Sequence, residues 1–215
     1  MEYFDISPKI SENTAVFPGD QTFHRKVSLS FSQGKNLELS SIETTLHIGA
    51  HADAPSHYAG AGVGIDERDI RHYLGRCQVI DVTFAMGKKA HLKDQDFLIN
   101  IDDFSTIPVE CRRVLFKTGT FISDRPWLDH FAAFHKDAVT YLARMGVRLL
   151  GIDTPSVDPA QSKDLPSHSE IYKNDMAVLE GLELSGVPAG LYTLLALPLR
   201  IQNADASPVR AILFH

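Results

Sequence analysis

The segment from His47 to His57 (HIGAHADAPSH) constrains this chain more than any other. Three of the ten histidines of the chain fall within it, together with Asp53. Imidazole and carboxylate are ligand types that zinc, manganese and related divalent metals accept. No cysteine lies nearby, which argues against a closed structural zinc site. The segment therefore predicts a catalytic metal site whose ligands include His47, His51 and Asp53.

The spacing within this segment favours an extended backbone with a bend. The three histidines and Asp53 all occupy odd positions, so a strand would point their side chains to one face. A helix is a poor host, because Gly49 weakens it and Pro55 would break it. On a straight strand the Cα atoms of His47 and His51 would lie about 13 Å apart, near the limit for sharing one ion. We therefore expect a bend, and Gly49 is the residue best suited to supply it.

Length and composition suit an ordinary globular protein. The chain has 215 residues, of which 44% are hydrophobic and 22% charged, and it fits one α/β domain over residues 1–215. The net charge of −6 and the absence of a basic run argue against nucleic acid as a partner. No signal-peptide pattern and no membrane-spanning apolar stretch is found, so we expect a cytoplasmic protein without a membrane partner. Cys77 and Cys111 are predicted to be reduced, buried thiols.

Hydrophobic periodicity predicts alternating helices and strands, the arrangement of an α/β fold. Asp137–Met145 has apolar residues at helical spacing, with Gly146 where the helix would end. A second helix is predicted near Ser167, which matches a capping box with Glu170. Short apolar runs bounded by turn residues predict strands at Cys77–Thr83, Arg113–Lys117, Val147–Ile152, Leu191–Leu197 and Val209–Phe214.

Further metal ligands have to come from elsewhere in the chain. The candidates are His168 and Glu180, which lie downstream of Gly151–Pro159, a loop that follows a predicted buried strand. On sequence alone each has a competing explanation. His168 also fits an exposed residue in a first helical turn, and Glu180 also fits a solvated face.

Other polar and aromatic residues are expected to be structural. Trp127 is predicted to pack in a surface loop rather than to serve as a lid. Asp153 and Asp158 are predicted to shape their loop through side-chain hydrogen bonds. The histidines without ligand-like spacing are treated as structural or solvated: His24, His72, His91, His130, His135 and His215.

The chain resembles the cyclase-like metal-dependent hydrolases, and among them the bacterial kynurenine formamidases (arylformamidases). Residues 47–57 match the motif His-x-Gly-Thr-His-x-Asp-x-Pro-x-His, except that Ala50 replaces the threonine. The resemblance runs through almost the whole length. The other matching segments are Pro18–Asp20, Gly151–Pro159, Ser162–His168, Leu179–Leu182, Ala196–Leu199 and Ala204–Ala211.

This resemblance implies a β-rich α/β fold of the swivelling β/β/α type and a site for two divalent metal ions, zinc or manganese. His47 and His51 would bind one ion and His168 the other. Asp53 and Glu180 would bridge the pair. A homodimer or a higher homo-oligomer is also implied.

The implied reaction is hydrolysis of N-formyl-L-kynurenine to L-kynurenine and formate, a step of tryptophan degradation. Metal-bound hydroxide would be the nucleophile and His57 the general acid/base. Phe17 would bind the aromatic ring of the substrate, at a position where the formamidases carry tryptophan. Two alternatives stay open. Because Phe17 departs from the pattern, one is a related hydrolase acting on another amide, a cyclic imide or a lactone. The other is a non-catalytic protein that the metal stabilises.

Overall fold

Strands and short helices alternate along the chain in the computed structural model, which describes residues 2–121 and 125–215. The α-helices in these residues are α1 Pro55–Tyr58, α2 Thr83–Lys89, α3 Lys136–Arg144 and α4 Pro166–Lys173. Single 3₁₀ turns occupy Phe31–Gln33, Ile65–Glu67, Ile70–Tyr73, Asp94–Asp96 and Ile101–Asp103. The strands are β1 Tyr3–Asp5, β2 His24–Leu29, β3 Leu39–Glu43, β4 His51–Asp53, β5 Leu74–Asp81, β6 Leu98–Ile99, β7 Arg113–Lys117, β8 Ala133–Phe134, β9 Leu149–Ile152, β10 Ala177–Glu180, β11 Gly190–Leu195, β12 Ala206–Pro208 and β13 Ile212–Phe214.

One mixed sheet dominates the fold, with the strand order β1-β13-β11-β5-β7-β9-β10-β4-β12. Strands β5, β7, β9 and β10 are parallel to one another at its centre. The strands on either side are antiparallel. Parallel strands are normally covered on both faces, and every residue of β9 and β10 is indeed buried. The predicted β-rich α/β fold is confirmed.

Apolar side chains pack on both faces of this sheet. Val79 and Leu115 point into one cluster, which the antiparallel flanks close. Their strand neighbours Ile80 and Phe116 point into the other cluster, which α3 and α4 cover. The alternation follows from the two-residue repeat of a strand. The sheet is therefore a rigid support for the loops at its strand ends.

Several predicted elements are confirmed, with changed bounds. The helix predicted at 137–145 is α3, and Gly146 just beyond it has φ +89°. Strand β7 has the predicted bounds. Strand β5 ends at Asp81, because the carboxylate of Asp81 accepts the N–H of Thr83 and turns the chain into α2. The strands predicted at 147–152, 191–197 and 209–214 are shorter and correspond to β9, β11 and β13.

The capping box predicted at the start of α4 is wrong. The hydroxyl of Ser167 donates to a backbone carbonyl, and Glu170 pairs with Lys173 instead. The carboxylate of Asp158 accepts the N–H groups of Ser167 and His168, and so satisfies the first turn of the helix from a distant loop. The carboxylate that caps the start of α4 is therefore that of Asp158, not that of Glu170.

Two smaller expectations concern the thiols and the membrane. Cys77 and Cys111 are both buried and free, as predicted. No helix within the described residues combines the length and the apolar character that a bilayer crossing requires.

Candidate metal centre

Strand β4 carries His51 and Asp53 between β10 and β12. In the antiparallel register with β10, Glu180 lies directly opposite His51 and Val178 opposite Asp53. All three residues of β4 are buried. The register therefore brings the side chain of Glu180 to His51 from a distant part of the sequence.

The chain bends just before β4, as predicted. Gly49 has φ +57°, a left-handed conformation that favours glycine. Gly181 has φ +64°, and a Cβ at that position would lie 2.1 Å from the carbonyl oxygen of Gly49. The two glycines allow the bend to press against the end of β10. The bend also returns His47 to the strand, with its Nδ1 2.9 Å from Oδ1 of Asp53.

His57 lies on a helix and not on the extended backbone that its spacing predicted. Pro55 begins α1 rather than preventing a helix, because the first helical position needs no N–H donor. The single turn still directs the imidazole of His57 to the cluster. Its ring centroid is 4.1 Å from that of His47 and 6.1 Å from that of His168.

Two groups of ligand-type atoms share Asp53. Its Oδ1 lies 2.9 Å from Nδ1 of His47 and 3.4 Å from Nε2 of His51. Its Oδ2 lies 3.4 Å from Nε2 of His168. The carboxylate of Glu180 also lies between His51 and His168. Its Oε2 is 3.3 Å from Nε2 of His51, and its Oε1 is 3.5 Å from Nε2 of His168. The structure thus brings together all five residues proposed as ligands from the sequence.

The nitrogen and oxygen atoms of this cluster fit a divalent cation as ligands. His51 Nε2 and Asp53 Oδ1 are buried without a hydrogen-bond partner. An unpaired buried polar atom costs roughly 1–3 kcal/mol. His47 Nδ1 at 2.9 Å and His51 Nε2 at 3.4 Å both approach Oδ1 of Asp53, but neither is aligned with it as a hydrogen-bond donor. Several lone pairs directed toward one point are what a bound metal ion requires.

The second nitrogen of each buried histidine is held by another group. Nδ1 of His51 donates to the carbonyl oxygen of Gly49 at 2.9 Å, which leaves Nε2 as the lone-pair atom. Nδ1 of His168 lies 2.7 Å from Oδ2 of Asp158. Such partners orient a ligating imidazole and fix its tautomer. Asp158 therefore shapes its loop through hydrogen bonds, as predicted, and also orients His168.

Asp205 is a site residue that the sequence interpretation missed. Its Oδ2 lies 3.0 Å from Nε2 of His47 and 3.8 Å from Nδ1 of His57. It immediately precedes β12, which pairs with β4. No spacing near this residue marks it. The only signal was its place in the segment Ala204–Ala211 that carried the family resemblance.

The acidic and basic side chains of the cluster shift one another's pKa values. Burial alone would raise the pKa of Asp53, but the histidines His168 and His47 lower it well below its usual range. Burial alone would lower the pKa of His47, but Asp53 and Asp205 raise it to about 9. Burial lowers the pKa of His57, although the charge of Asp53 opposes this. His57 is therefore a neutral imidazole near pH 7, able to accept a proton.

A cavity of about 270 Å³ opens onto the cluster. Phe17 lies in its wall, 48% exposed, and meets Trp127 edge-to-face at a centroid distance of 5.4 Å. Trp127, which was predicted to pack in a surface loop rather than to serve as a lid, lines this cavity. It is held there by the ring of Phe131, 6.0 Å away, and by the bond from its indole N–H to Asp129. The aromatic wall consists of Phe17, Phe121, Trp127 and Phe131.

The chain matches a family model described as putative cyclase over residues 4–159. The chain belongs to the cyclase family. Kynurenine formamidase from Bordetella avium (strain 197N) is 41% identical to it over 210 residues, which cover 98% of this chain and 96% of that protein. Kynurenine formamidase from Polaromonas naphthalenivorans (strain CJ2) is 40% identical over 215 residues, covering 99% and 91%.

A solved structure described as a potential metal-dependent hydrolase with cyclase activity shares this fold. It superposes on this cyclase-family chain with a TM-score of 0.80 at 27% identity, covering 99% of this chain and 96% of that one. With these relatives, the chain is a hydrolase of the cyclase family. The family predicted from the motifs is thereby confirmed.

Proposed function

We propose that this hydrolase converts N-formyl-L-kynurenine and water to L-kynurenine and formate. The observation that carries the proposal is that residues of two candidate ligand groups, together with His57, line a cavity that also has an aromatic wall. Curated relatives at 41% and 40% identity over nearly the whole chain are named for this activity. The cavity volume of about 270 Å³ suits a small molecule.

The site is proposed to hold two divalent ions, zinc or alternatively manganese. His47 and His51 with Asp53 form one ligand group, and His168 and Glu180 with Asp53 form the other. Three imidazoles and two carboxylates suit both metals. When bound, such an ion lowers the pKa of a coordinated water from about 15.7 to about 7 and stabilises negative charge on a carbonyl oxygen.

His57 is proposed to move the proton. It lies outside the two ligand groups built around Asp53, and its side chain is partly exposed to the cavity. A neutral imidazole in this place accepts a proton as water attacks the formyl carbon. It then returns that proton to the aniline nitrogen, which leaves as a neutral amine.

The aromatic wall is proposed to orient the substrate. The rings of Phe17 and Trp127 meet edge-to-face at the cavity, and an anthranilate-like ring packs well against such a pair. Phe17 replaces the tryptophan of the formamidase pattern. Trp127 supplies an indole ring on the same wall.

Hydrolysis of N-formyl-L-kynurenine by the purified protein tests the proposal. We expect turnover that a chelator abolishes and that zinc restores. The same assay on a cyclic imide and on a lactone separates the formamidase from its alternatives. Activity on one of those compounds with none on the formamide would replace the proposed substrate. No activity from a folded, zinc-loaded protein on any of them would contradict the hydrolytic assignment of this site.

A homodimer is proposed from the hairpin formed by β2 and β3. These strands form a two-stranded sheet of their own, and every residue in them except Leu29 is exposed. A two-stranded hairpin alone is marginally stable. Two exposed apolar side chains on one face of this hairpin, Ile42 (65%) and Val27 (39%), point to a covered surface in solution. We assign a second copy of this chain as the covering partner.

Light scattering after size-exclusion chromatography tests the dimer. We expect the unmodified protein to have twice the monomer mass and Ile42→Glu to have the monomer mass. Phe84→Glu is the matched control, because Phe84 is also an exposed apolar residue but lies on α2. A monomeric wild-type protein, or a dimer that persists in Ile42→Glu, would contradict the assignment.

A further inference from the structure

We infer that Asp205 is a positioning residue that orients the rings of both His47 and His57. A single oxygen, Oδ2, lies 3.0 Å from Nε2 of His47 and 3.8 Å from Nδ1 of His57. The inference rests on the metal site and on the role of His57 proposed above. It adds a residue that links a ligand to the proton-transfer group.

The contact with His47 fixes which nitrogen faces the ligand cluster. Nδ1 of His47 faces Asp53 at 2.9 Å, and Nε2 on the other side of the ring donates a hydrogen bond to Asp205 at 3.0 Å. A carboxylate in this position holds the tautomer and makes the ligating nitrogen more basic. His51 and His168 have such partners in the carbonyl of Gly49 and in Asp158, described above. Asp205 is the corresponding hydrogen-bond partner of the third histidine, His47.

The contact with His57 is longer and acts through charge and shape. At 3.8 Å the carboxylate of Asp205 is too far from Nδ1 of His57 for a direct hydrogen bond. It still faces that nitrogen, which leaves Nε2 as the nitrogen available to the cavity. The rings of His47 and His57 are also packed together at 4.1 Å. A change in the orientation of His47 therefore moves His57.

The backbone around Asp205 is anchored to the sheet. The carbonyl of Asp205 accepts the N–H of Ala54, one residue beyond β4, at 2.8 Å. The N–H of Asn203 donates to the carboxylate of Asp66 at 2.9 Å. The side chain of Asp205 is half-exposed, so its truncation removes little buried structure. A variant at this position therefore tests its contacts rather than the fold.

The test is the zinc affinity of Asp205→Ala, measured by competition with a chelator, together with kcat and KM. We expect zinc affinity to fall about 10–100-fold, the usual effect of losing the partner of a ligating histidine. We expect kcat to fall while KM stays close to the wild-type value. Asp205→Asn keeps an oxygen that accepts from His47, so it should recover most of the zinc affinity. Asp205→Ser is too short to reach either ring and repeats the expected loss if the alanine variant is unstable.

Asp66→Ala is the matched control. It removes the carboxylate that accepts from Asn203 in the same loop but touches neither histidine. We expect zinc affinity and kcat of this control to match those of the wild type. Unchanged zinc affinity in Asp205→Ala would overturn the inference, and so would an equal loss in Asp66→Ala. A wild type that binds zinc but leaves the formamide intact refutes the proposed substrate alone, because the affinity measurement needs no substrate.

Discussion

Glu180 and His51 face each other across the antiparallel pair β10 and β4, with Oε2 of Glu180 3.3 Å from Nε2 of His51. A slip of one residue would point one of these side chains to the opposite face of the sheet. The candidate metal site therefore depends on strand register. The same register places Val178, an apolar core residue, opposite Asp53.

Glu180→Gln removes one of the two carboxylates that face both ligand groups while keeping its size. We expect much weaker zinc binding, because a neutral amide offsets less of the charge of the two proposed dications. Zinc at 1,000 times its Kd stabilises a protein by about 4 kcal/mol, so the rise in Tm on zinc addition should shrink. Calorimetry with and without zinc measures this. Glu183→Gln, on an exposed neighbour, is the control, and an undiminished rise in Glu180→Gln would contradict a ligand role.

Gly181→Ala should disrupt the site through the backbone. The left-handed conformation at φ +64° costs a non-glycine residue about 1–3 kcal/mol, and the new Cβ would also meet the carbonyl of Gly49 at 2.1 Å. We expect a lower free energy of unfolding and reduced zinc content. Denaturant titration and metal analysis measure both. Gly186→Ala is the control, since a Cβ there meets nothing within 4 Å, and equal behaviour of the two variants would refute the prediction.

His57→Ala should separate catalysis from metal binding. Loss of a general acid/base typically lowers kcat by about 10²–10⁴-fold. Because His57 is proposed as the proton-transfer group and contributes no atom to the two ligand groups around Asp53, zinc content should stay at the wild-type value, although His57 also lies in a third group of ligand-type atoms with His47 and Asp205. Steady-state kinetics and metal analysis test the two parts. His91→Ala, at an exposed position, should change neither quantity. Loss of zinc in His57→Ala would mark His57 as a ligand instead.

Trp127→Ala should weaken substrate binding. The indole meets Phe17 edge-to-face in the cavity wall, and an aromatic pair contributes about 0.5–1.5 kcal/mol beyond its buried area. We therefore expect KM for N-formyl-L-kynurenine to rise roughly tenfold, since 1.4 kcal/mol is a factor of ten. Phe84→Ala, an exposed aromatic outside the cavity, should leave KM unchanged. An unchanged KM in Trp127→Ala would place the substrate ring elsewhere.

Asp153 should make stability depend on pH. Burial raises its pKa to about 6, although it accepts hydrogen bonds from Thr118 and Gly119. A carboxyl group with a raised pKa favours folding below its unfolded pKa of 3.8, and this contribution is lost as the pH rises through about 6. Asp153→Asn cannot ionise. In the presence of a chelator, the stability of Asp153→Asn relative to wild type should therefore improve by up to roughly 3 kcal/mol between pH 4 and pH 7.5.

Denaturant unfolding at several pH values measures this difference. The asparagine also loses an acceptor, but that cost is independent of pH and shifts the whole curve. A stability difference that stays constant over this range would show that folding does not raise the pKa of Asp153.

Short sequence patterns were sufficient to predict the elements that depend on neighbouring residues alone. Helix α3 shows a regular apolar repeat and a glycine at its end, and both are visible in nine or ten consecutive residues. The segment that carries the candidate ligands could be identified because its histidines and Asp53 lie close together in sequence. The helix at His57 was missed because Pro55 is compatible both with a helix start and with a break.

Features that depend on distant pairing were not predictable. Strand β4 has only three residues, His51 to Asp53, and two of them are polar, so it lacks the apolar run of a buried strand. Asp205 reaches His47 across a separation of 158 residues. Trp127 gave no periodic signal, because its position depends on contacts with Phe17 and Phe131. In each case the decisive contact belongs to the tertiary structure.

The position of β4 between two late strands has a consequence for biosynthesis. Asp53 and His168 are 115 residues apart, and Glu180 follows on β10. Domains fold as units while the ribosome releases them from the N-terminus. Of the five proposed ligands, a nascent chain that ends before α4 therefore contains only His47, His51 and Asp53. The two proposed ions could both bind only after β10 has joined the sheet, so metal loading would follow completion of the chain and would tie its last third to its first.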